Sequence, residues 1–305
     1  MEGADHLADH RRVWERKAVL RLVYEDFYDR IAAACRPGLT LEIGGGIGNL
    51  KRRLADVILT DIQRAPWLDC VADAQRLPFA DACAANIVMV DVLHHLEFPV
   101  VFFREAARVL RPGGRVLMVE PAITWGSSLF YRLLHHEPVR TSADVLGDGS
   151  PDPRRDPYDS NQAIPTLLAT RERERFHHLF PALRIACVQW FAFAAYPLSG
   201  GFQSWSLIGE GGARRLLRIE RALEPMLGRV AGFRLLLAVE KASEGRQVPV
   251  VSGLEDEPGH DGVGEARSTA VRTSAPRYET SPCKGGDRRA DQAMRGLASL
   301  LVSCR

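Results

Sequence analysis

Over residues 39–120, short apolar runs rich in β-branched and aliphatic side chains alternate with helical or turn-like segments, and this alternation predicts the fold class. The runs fall at 39–43, 57–60, 68–72, 86–90 and 116–119. A helical pattern covers 99–110 and is closed by Arg111-Pro112-Gly113-Gly114, a stop followed by a turn into the last of these strands. Strands that take turns with helices imply a parallel sheet with right-handed crossovers, so the class is α/β. Ahead of this region, Val13, Trp14, Val23, Phe27 and Ile31 stand among charged residues, which predicts one leading amphipathic helix within 10–36, ended by Pro37-Gly38. Beyond residue 121 the pattern loosens. It still predicts helices at 125–136, 164–178 and 212–227 and two further strands near 183–190 and 233–240, seven strands in all.

Composition changes the picture at the C-terminal end. Residues 242–305 contain no Phe, Trp or Ile and are rich in Gly, Ser, Pro and charge. Such a segment cannot bury enough apolar area to offset its ordering entropy, so a disordered tail is expected, with a short helix near 291–301. The segment 140–161, with Pro151, Pro153 and Pro157 among Asp and Arg, reads as a surface loop.

The 46% apolar content of the 305-residue chain suits a soluble domain with a core. Forty basic against 38 acidic residues leave a net charge of +2, so no global field calls for nucleic acid, and a small-molecule partner is expected. Six scattered cysteines without a C-x-x-C pair point to reduced thiols in a cytoplasm. The charged N-terminus has no signal-peptide run, and no stretch is long and apolar enough to span a bilayer.

Chemistry concentrates between residues 42 and 95. In Leu41-Glu42-Ile43-Gly44-Gly45-Gly46-Ile47-Gly48 a strand enters a glycine-rich turn, where a ligand can approach the backbone closely and a following helix start would present free N–H groups. A dinucleotide fingerprint needs Gly at 44, 46 and 49. Position 49 is Asn, which weakens a nicotinamide or flavin reading. Asp61, followed by Ile62, ends the second strand, where a carboxylate can accept both hydroxyls of a ribose. Asp73 follows the third strand; its side chain can accept an adenine amine while the Ala74 N–H donates to a ring nitrogen.

In order along the chain, the glycine turn, Asp61, Asp73-Ala74-x-x-Leu77-Pro78-Phe79, Asp91-Val92-Leu93-His94-His95-Leu96 and Leu110-Arg111-Pro112-Gly113-Gly114 resemble the class I S-adenosylmethionine-dependent methyltransferases. Within that class they are similar to the small-molecule branch that includes the ubiquinone and menaquinone methyltransferases. The resemblance implies a Rossmann-like, doubly wound, mostly parallel seven-stranded sheet with helices on both faces and the last strand antiparallel. It implies S-adenosylmethionine as cofactor, with Glu42, Gly44, Gly45, Gly46 and Gly48 around the methionine part, Asp61 and Ile62 at the ribose, Asp73 and Ala74 at the adenine, and Asp91 near the amino end. The implied layout is a helical lid over 1–38, a methyltransferase domain over 39–241 with acceptor-side insertions at 121–182 and 190–232, and the tail. Two departures stand out: 49–55 is short for a first crossover helix, and Asp91 stands where small residues are also common.

Methyl transfer from a sulfonium is an in-line displacement in which alignment and exclusion of water do much of the work, so a strong base is optional. The candidates for one are His94, His95 and Glu120, all at the carboxyl side of the sheet. Each has an equally simple structural use, packing or capping for the histidines and a hydrogen bond to a loop N–H for the glutamate. The pairs His135-His136 and His177-His178 do not chelate well as neighbours on a helix, and no metal is expected.

Aromatic residues crowd the insertions, among them Trp125, Tyr131, Tyr158, Trp190, Tyr196, Phe202 and Trp205, which suits an apolar or ring-bearing acceptor as well as ordinary core. Over 212–227, Arg214, Arg215, Arg218 and Arg221 interleave with apolar residues. That pattern fits peripheral contact with a membrane and equally a helix packed on the sheet with a solvated basic face. The leading function is methyl transfer to a small organic acceptor; the alternatives are a non-catalytic S-adenosylmethionine-binding protein and a nicotinamide-dependent oxidoreductase.

Overall fold

Side chains that alternate along the central strands sort into two apolar layers, one on each side of a single sheet. In the computed structural model, which describes residues 2–134, 138–152 and 154–243, the chain runs in order through α1 (Glu2–Arg16), α2 (Ala18–Ala34), β1 (Thr40–Ile43), β2 (Val57–Asp61), β3 (Cys70–Val71) and β4 (Ala84–Val90). It continues through α3 (Pro99–Val109), β5 (Leu110–Pro121), α4 (Trp125–Leu134), α5 (Ile164–Ala169), α6 (Arg173–Leu179), β6 (Leu183–Phe191), α7 (Ala195–Ser199), α8 (Glu210–Ala231) and β7 (Arg234–Lys241). The sheet order is β3-β2-β1-β4-β5-β7-β6. Neighbours from β3 to β5 pair in parallel, and β7 runs antiparallel to both β5 and β6. This is the Rossmann-like, doubly wound sheet with its last strand reversed that the family resemblance implied.

On one face Ile87, Met89, Val116, Met118, Leu235 and Leu237 pack with Phe102 and Phe103 of α3 and Phe176 of α6. On the other, Val88, Leu117, Val119, Leu236 and Ala238 pack with Leu20, Val23, Phe27 and Ile31 of α2. Neighbouring residues of one strand thus serve opposite layers, as the period of two requires.

The leading helix differs from expectation. Two helices replace one, α1 beginning at Glu2 and the break falling at Lys17. No Gly or Pro marks the break. The Lys17 ammonium instead donates to the carbonyls of Gly201 (2.7 Å), Gln203 (2.8 Å) and Trp205 (2.7 Å), and this distant loop turns the chain there. The helix expected at 164–178 is likewise two, α5 and α6, because the Glu172 N–H bonds back to the Leu167 carbonyl across a tight turn. After Gly48 only a single 3-10 turn, Leu50–Arg52, takes the place of a crossover helix, so the helix start expected to present free N–H groups is absent.

The thiols Cys35 and Cys83 are free, but Cys187 on the edge strand β6 is disulfide-bonded, which corrects the expectation of reduced thiols throughout. Among the described residues no helix is long and apolar enough to cross a membrane. The tail from residue 244, the helix expected near 291–301 and the pair His135-His136 lie outside the described residues.

Candidate functional site

The strand order reverses between β1 and β4, and ligands of open α/β sheets bind in the crevice beyond the carboxyl ends at such a point. The glycine turn leaves β1 there. Gly44, Gly46 and Gly48 all have positive φ (67°, 47° and 75°), which L side chains rarely adopt. Their surroundings differ. A Cβ on Gly44 would stand 2.3 Å from Cγ2 of Val92, whereas one on Gly46 would meet only the Gly44 carbonyl, 3.8 Å away. Gly44 is therefore required by packing and Gly46 faces open space, the side from which a ligand can approach the backbone.

Two carboxylates underlie the turn. Asp61 accepts the Gly46 N–H at 3.0 Å and the Gln63 N–H at 2.9 Å, and burial raises its pKa against the lowering effect of these bonds. Glu42 is buried, its Oε2 has no hydrogen-bond partner, and Gly45 lies over it. Burial first, and then the nearby Asp61 charge, push its pKa up to about 8. A cationic group docked at the turn would pair with that oxygen. Such an orphaned acceptor beside an open glycine cradle fits the ammonium and sulfonium of S-adenosylmethionine.

The other residues expected at the cofactor are spread along the same edge. Ile62 is 51% exposed at the end of β2, an apolar surface available to a ring. Asp73 is exposed and accepts the Gln75 N–H at 2.8 Å, while the neighbouring Ala74 is buried. Asp91 is occupied within the protein: it takes an ion pair from Arg234 and a hydrogen bond from the Tyr24 hydroxyl at 3.1 Å. Burial alone would raise its pKa, but Arg234, with help from His94 and Tyr24, holds it below the usual value.

Glu120 and His94 sit next to each other. One oxygen of the fully buried Glu120 accepts the N–H groups of Val92 (2.9 Å) and Leu93 (2.8 Å), and the other meets Nδ1 of His94 at 2.6 Å. The carboxylate thereby fixes the loop after β4, whose Val92 in turn bounds Gly44. His95 stacks near His94, and its Nδ1 lies 3.3 Å from the Asp159 carbonyl. His177 lies elsewhere, on α6, with Nε2 accepting the Ile185 N–H at 3.1 Å.

Sequence reasoning missed what α1 brings. Arg11 lies 4.4 Å over the Trp67 ring, and the Trp67 indole N–H donates to the Gly46 carbonyl at 2.7 Å. His10 stacks on Phe202 with centroids 4.4 Å apart, and Phe202 meets Tyr24 edge-on. His6 contacts Tyr158, whose hydroxyl accepts from the Gln63 side chain at 2.6 Å, next to Asp61. Burial first, with His6 beside it, lowers the His10 pKa to about 4, so its imidazole is neutral at pH 7. The only signal in the sequence was Leu7 and Trp14, seven residues apart and both buried.

Residues 41–118 match the family model described as a methyltransferase domain. The ubiquinone/menaquinone biosynthesis C-methyltransferase UbiE of Laribacter hongkongensis is 32% identical over 115 residues, covering 30% of this chain and 47% of that protein. The UbiE of Bordetella parapertussis is 31% identical over 126 residues, with 31% and 49% covered. The chain thus spans about half the length of the curated relatives it matches. Among solved structures, an S-adenosylmethionine-dependent methyltransferase of Thermotoga maritima aligns with a TM-score of 0.47 at 14% identity, over 77% of this chain and 99% of that one. The matched stretch contains the glycine turn, Asp61, Asp73 and Asp91, and over these residues the chain resembles the methyltransferase domain of the UbiE-type C-methyltransferases.

Proposed function

We propose that the protein transfers a methyl group from S-adenosylmethionine to a small, apolar or ring-bearing organic acceptor, with α1 acting as a lid over both ligands. The observation that carries this reading is the position of α1, which touches Trp67 beside the glycine turn and Phe202 among the aromatic side chains of the second insertion. In this reading Glu42 and the turn hold the methionine part, Asp61 the ribose, Ile62 and Asp73-Ala74 the adenine. The cofactor supplies a methyl group already activated by its positive sulfur. The chain's own residues align the acceptor and exclude water, a contribution that proximity can make large. Tyr24, Tyr196, Phe202 and the neutral His10 line the acceptor side, and His94 with Glu120 act as positioning residues for the loop that bounds the cradle.

The test is calorimetric titration of the protein with S-adenosylhomocysteine and, separately, with NADH, followed by the same titrations of Asp61→Ala. Micromolar binding of the first ligand alone is expected. Loss of the ribose hydrogen bonds to a carboxylate should weaken it by about 10- to 100-fold, since a hydrogen bond to a charged group contributes about 1.5–3 kcal/mol. A preference for NADH, or an Asp61→Ala affinity equal to the parent's, would overturn the assignment. Methyl transfer from labelled S-adenosylmethionine to a panel of phenols, quinols and apolar acids then separates an enzyme from a protein that only binds the cofactor.

A further inference from the structure

The C-terminal half of the amphipathic helix α8 is inverted. Its inward side is polar: Glu220 accepts the N–H groups of Ala194 (2.7 Å) and Ala195 (2.6 Å), Glu224 pairs with Arg30 (2.6 Å), and Arg221 pairs with Asp26. Gly228 presses on the Trp190 carbonyl, where an added Cβ would stand 2.4 Å from the oxygen. Ala213 is buried and Leu216 and Leu217 pack on the core, but the apolar residues that follow point outward. Ile219, Leu223, Met226, Leu227 and Val230 recur at helical spacing and are 48%, 37%, 78%, 41% and 52% exposed. At the far end Gly126 of α4 packs on Ala231, and Trp125 (88% exposed) and Leu129 (64%) continue the surface. Seven of the thirteen large exposed apolar residues among the described residues thus lie on two touching helices, a concentration that a scattered surface does not produce.

Charge borders this face. By helical spacing Arg215 and Arg229 flank the apolar stripe, with Arg218 and Arg214 further round. Among the described residues none of these four forms an ion pair, although Arg214 and Arg218 share a groove with Glu25 and Asp29 of α2. Unpaired arginines beside a solvent-facing apolar stripe, ended by an exposed Trp, match the anionic headgroups and acyl boundary of a lipid surface. The orientation is also informative. Arg234 of β7 is in register with Pro121 of β5, so the C-terminal end of α8 and the start of α4 meet at the carboxyl edge of the sheet, the edge that holds the glycine turn.

We propose that the outward face of α8, continued by Trp125 and Leu129, docks the protein on an anionic lipid surface with the carboxyl edge of its sheet toward the membrane. The test is co-sedimentation of the full chain with phosphatidylcholine vesicles, with and without phosphatidylglycerol. Sedimentation is expected only with phosphatidylglycerol and is lost in molar salt, which screens the arginines. Met226→Asp should abolish it, and Arg215→Glu with Arg229→Glu should weaken it by at least about five-fold per arginine. Both variants alter exposed side chains, and an unchanged circular dichroism melt checks that they fold. Vesicles should also shift to the blue the part of the fluorescence that Trp125→Phe removes. Absence of sedimentation, its persistence in Met226→Asp, or a concentration-dependent dimer that Met226→Asp dissolves would overturn the proposal, the last by assigning the face to a second copy. None of these outcomes depends on methyl transfer, so failure here is distinguishable from failure of the functional reading.

Discussion

Arg234, fully buried at the start of β7, directs its guanidinium onto the Asp91 carboxylate just past β4. Asp91 takes a left-handed backbone conformation, φ 58°, and also receives the Tyr24 hydroxyl, while Tyr196 lies 4.1 Å from the guanidinium. This pair ties the reversed strand to the loop beyond β4 and to α2. Either charge left alone there would be uncompensated. Arg234→Met should therefore destabilise the protein by about 3–5 kcal/mol, whereas adding Asp91→Asn to it should recover part of the loss. Chemical denaturation of the single and double variants measures both. Additive losses would mean that the two charges do not depend on each other.

Glu42 gives a pH signature. Its pKa in the folded protein, about 8, lies above the ordinary 4.5 because burial disfavours the charge. The unfolded chain releases this proton first, so the group's effect on stability worsens as pH rises from about 4.5 to about 8 and is constant beyond. Glu42→Gln should remove that slope, for a gain on the order of 1–3 kcal/mol at pH 8. Melting curves across this range test the sign. In addition, docking of the cofactor's ammonium should drive out the proton. Calorimetry at pH 7 in buffers of different ionisation enthalpy should then record proton release on binding, and its absence would count against contact with Glu42.

Gly44 and Gly46 separate folding from binding. Both have positive φ, a strain of about 1–2 kcal/mol for an L residue. Gly44→Ala also drives a methyl into Val92, so a larger loss of stability is expected there. Gly46→Ala should fold with only the strain loss but bind S-adenosylhomocysteine at least ten-fold more weakly, because its methyl fills the open side of the turn. Equal affinities for Gly46→Ala and the parent would place the ligand elsewhere.

Lys17 should control α1. Replacing it with Met removes three hydrogen bonds from a charged donor, each worth about 1.5–3 kcal/mol at most when buried and less here, where the side chain is only part-buried. Hydrogen exchange should rise across residues 2–16 and 200–205 while β1, β4 and β5 stay protected. Uniform exchange throughout the protein would show that the clamp supports the whole fold instead.

The sheet was legible because each strand is a short apolar run bounded by Gly, Pro or Asp, signals that act locally. Six of the seven strands lie within two residues of where the pattern puts them; β5 begins six residues early, at Leu110, because Leu110 pairs with Ala84 and draws the turn expected at 111–114 into the strand, and the reversed β7 follows the family resemblance. The glycine turn and the Asp61 beneath it were legible for the same reason, since both are set by spacing along the chain. What escaped is set by contacts between distant residues. The break at Lys17 depends on carbonyls nearly two hundred residues away, and the partnership of Asp91 with Arg234 reaches across β5, which lies between their strands only after folding. His10 carries no mark in its own neighbourhood that it will lie on Phe202.

Arg11 and His10 are consecutive residues of one rigid helix, yet the first rests on Trp67 at the cofactor's turn and the second on Phe202 among the acceptor-side aromatics. In the proposed reading the two doorways share a single hinged shutter whose pivot is Lys17. A movement wide enough to admit one ligand uncovers the other's berth as well, so the spent donor and the methylated product should leave in the same opening event rather than through separate exits.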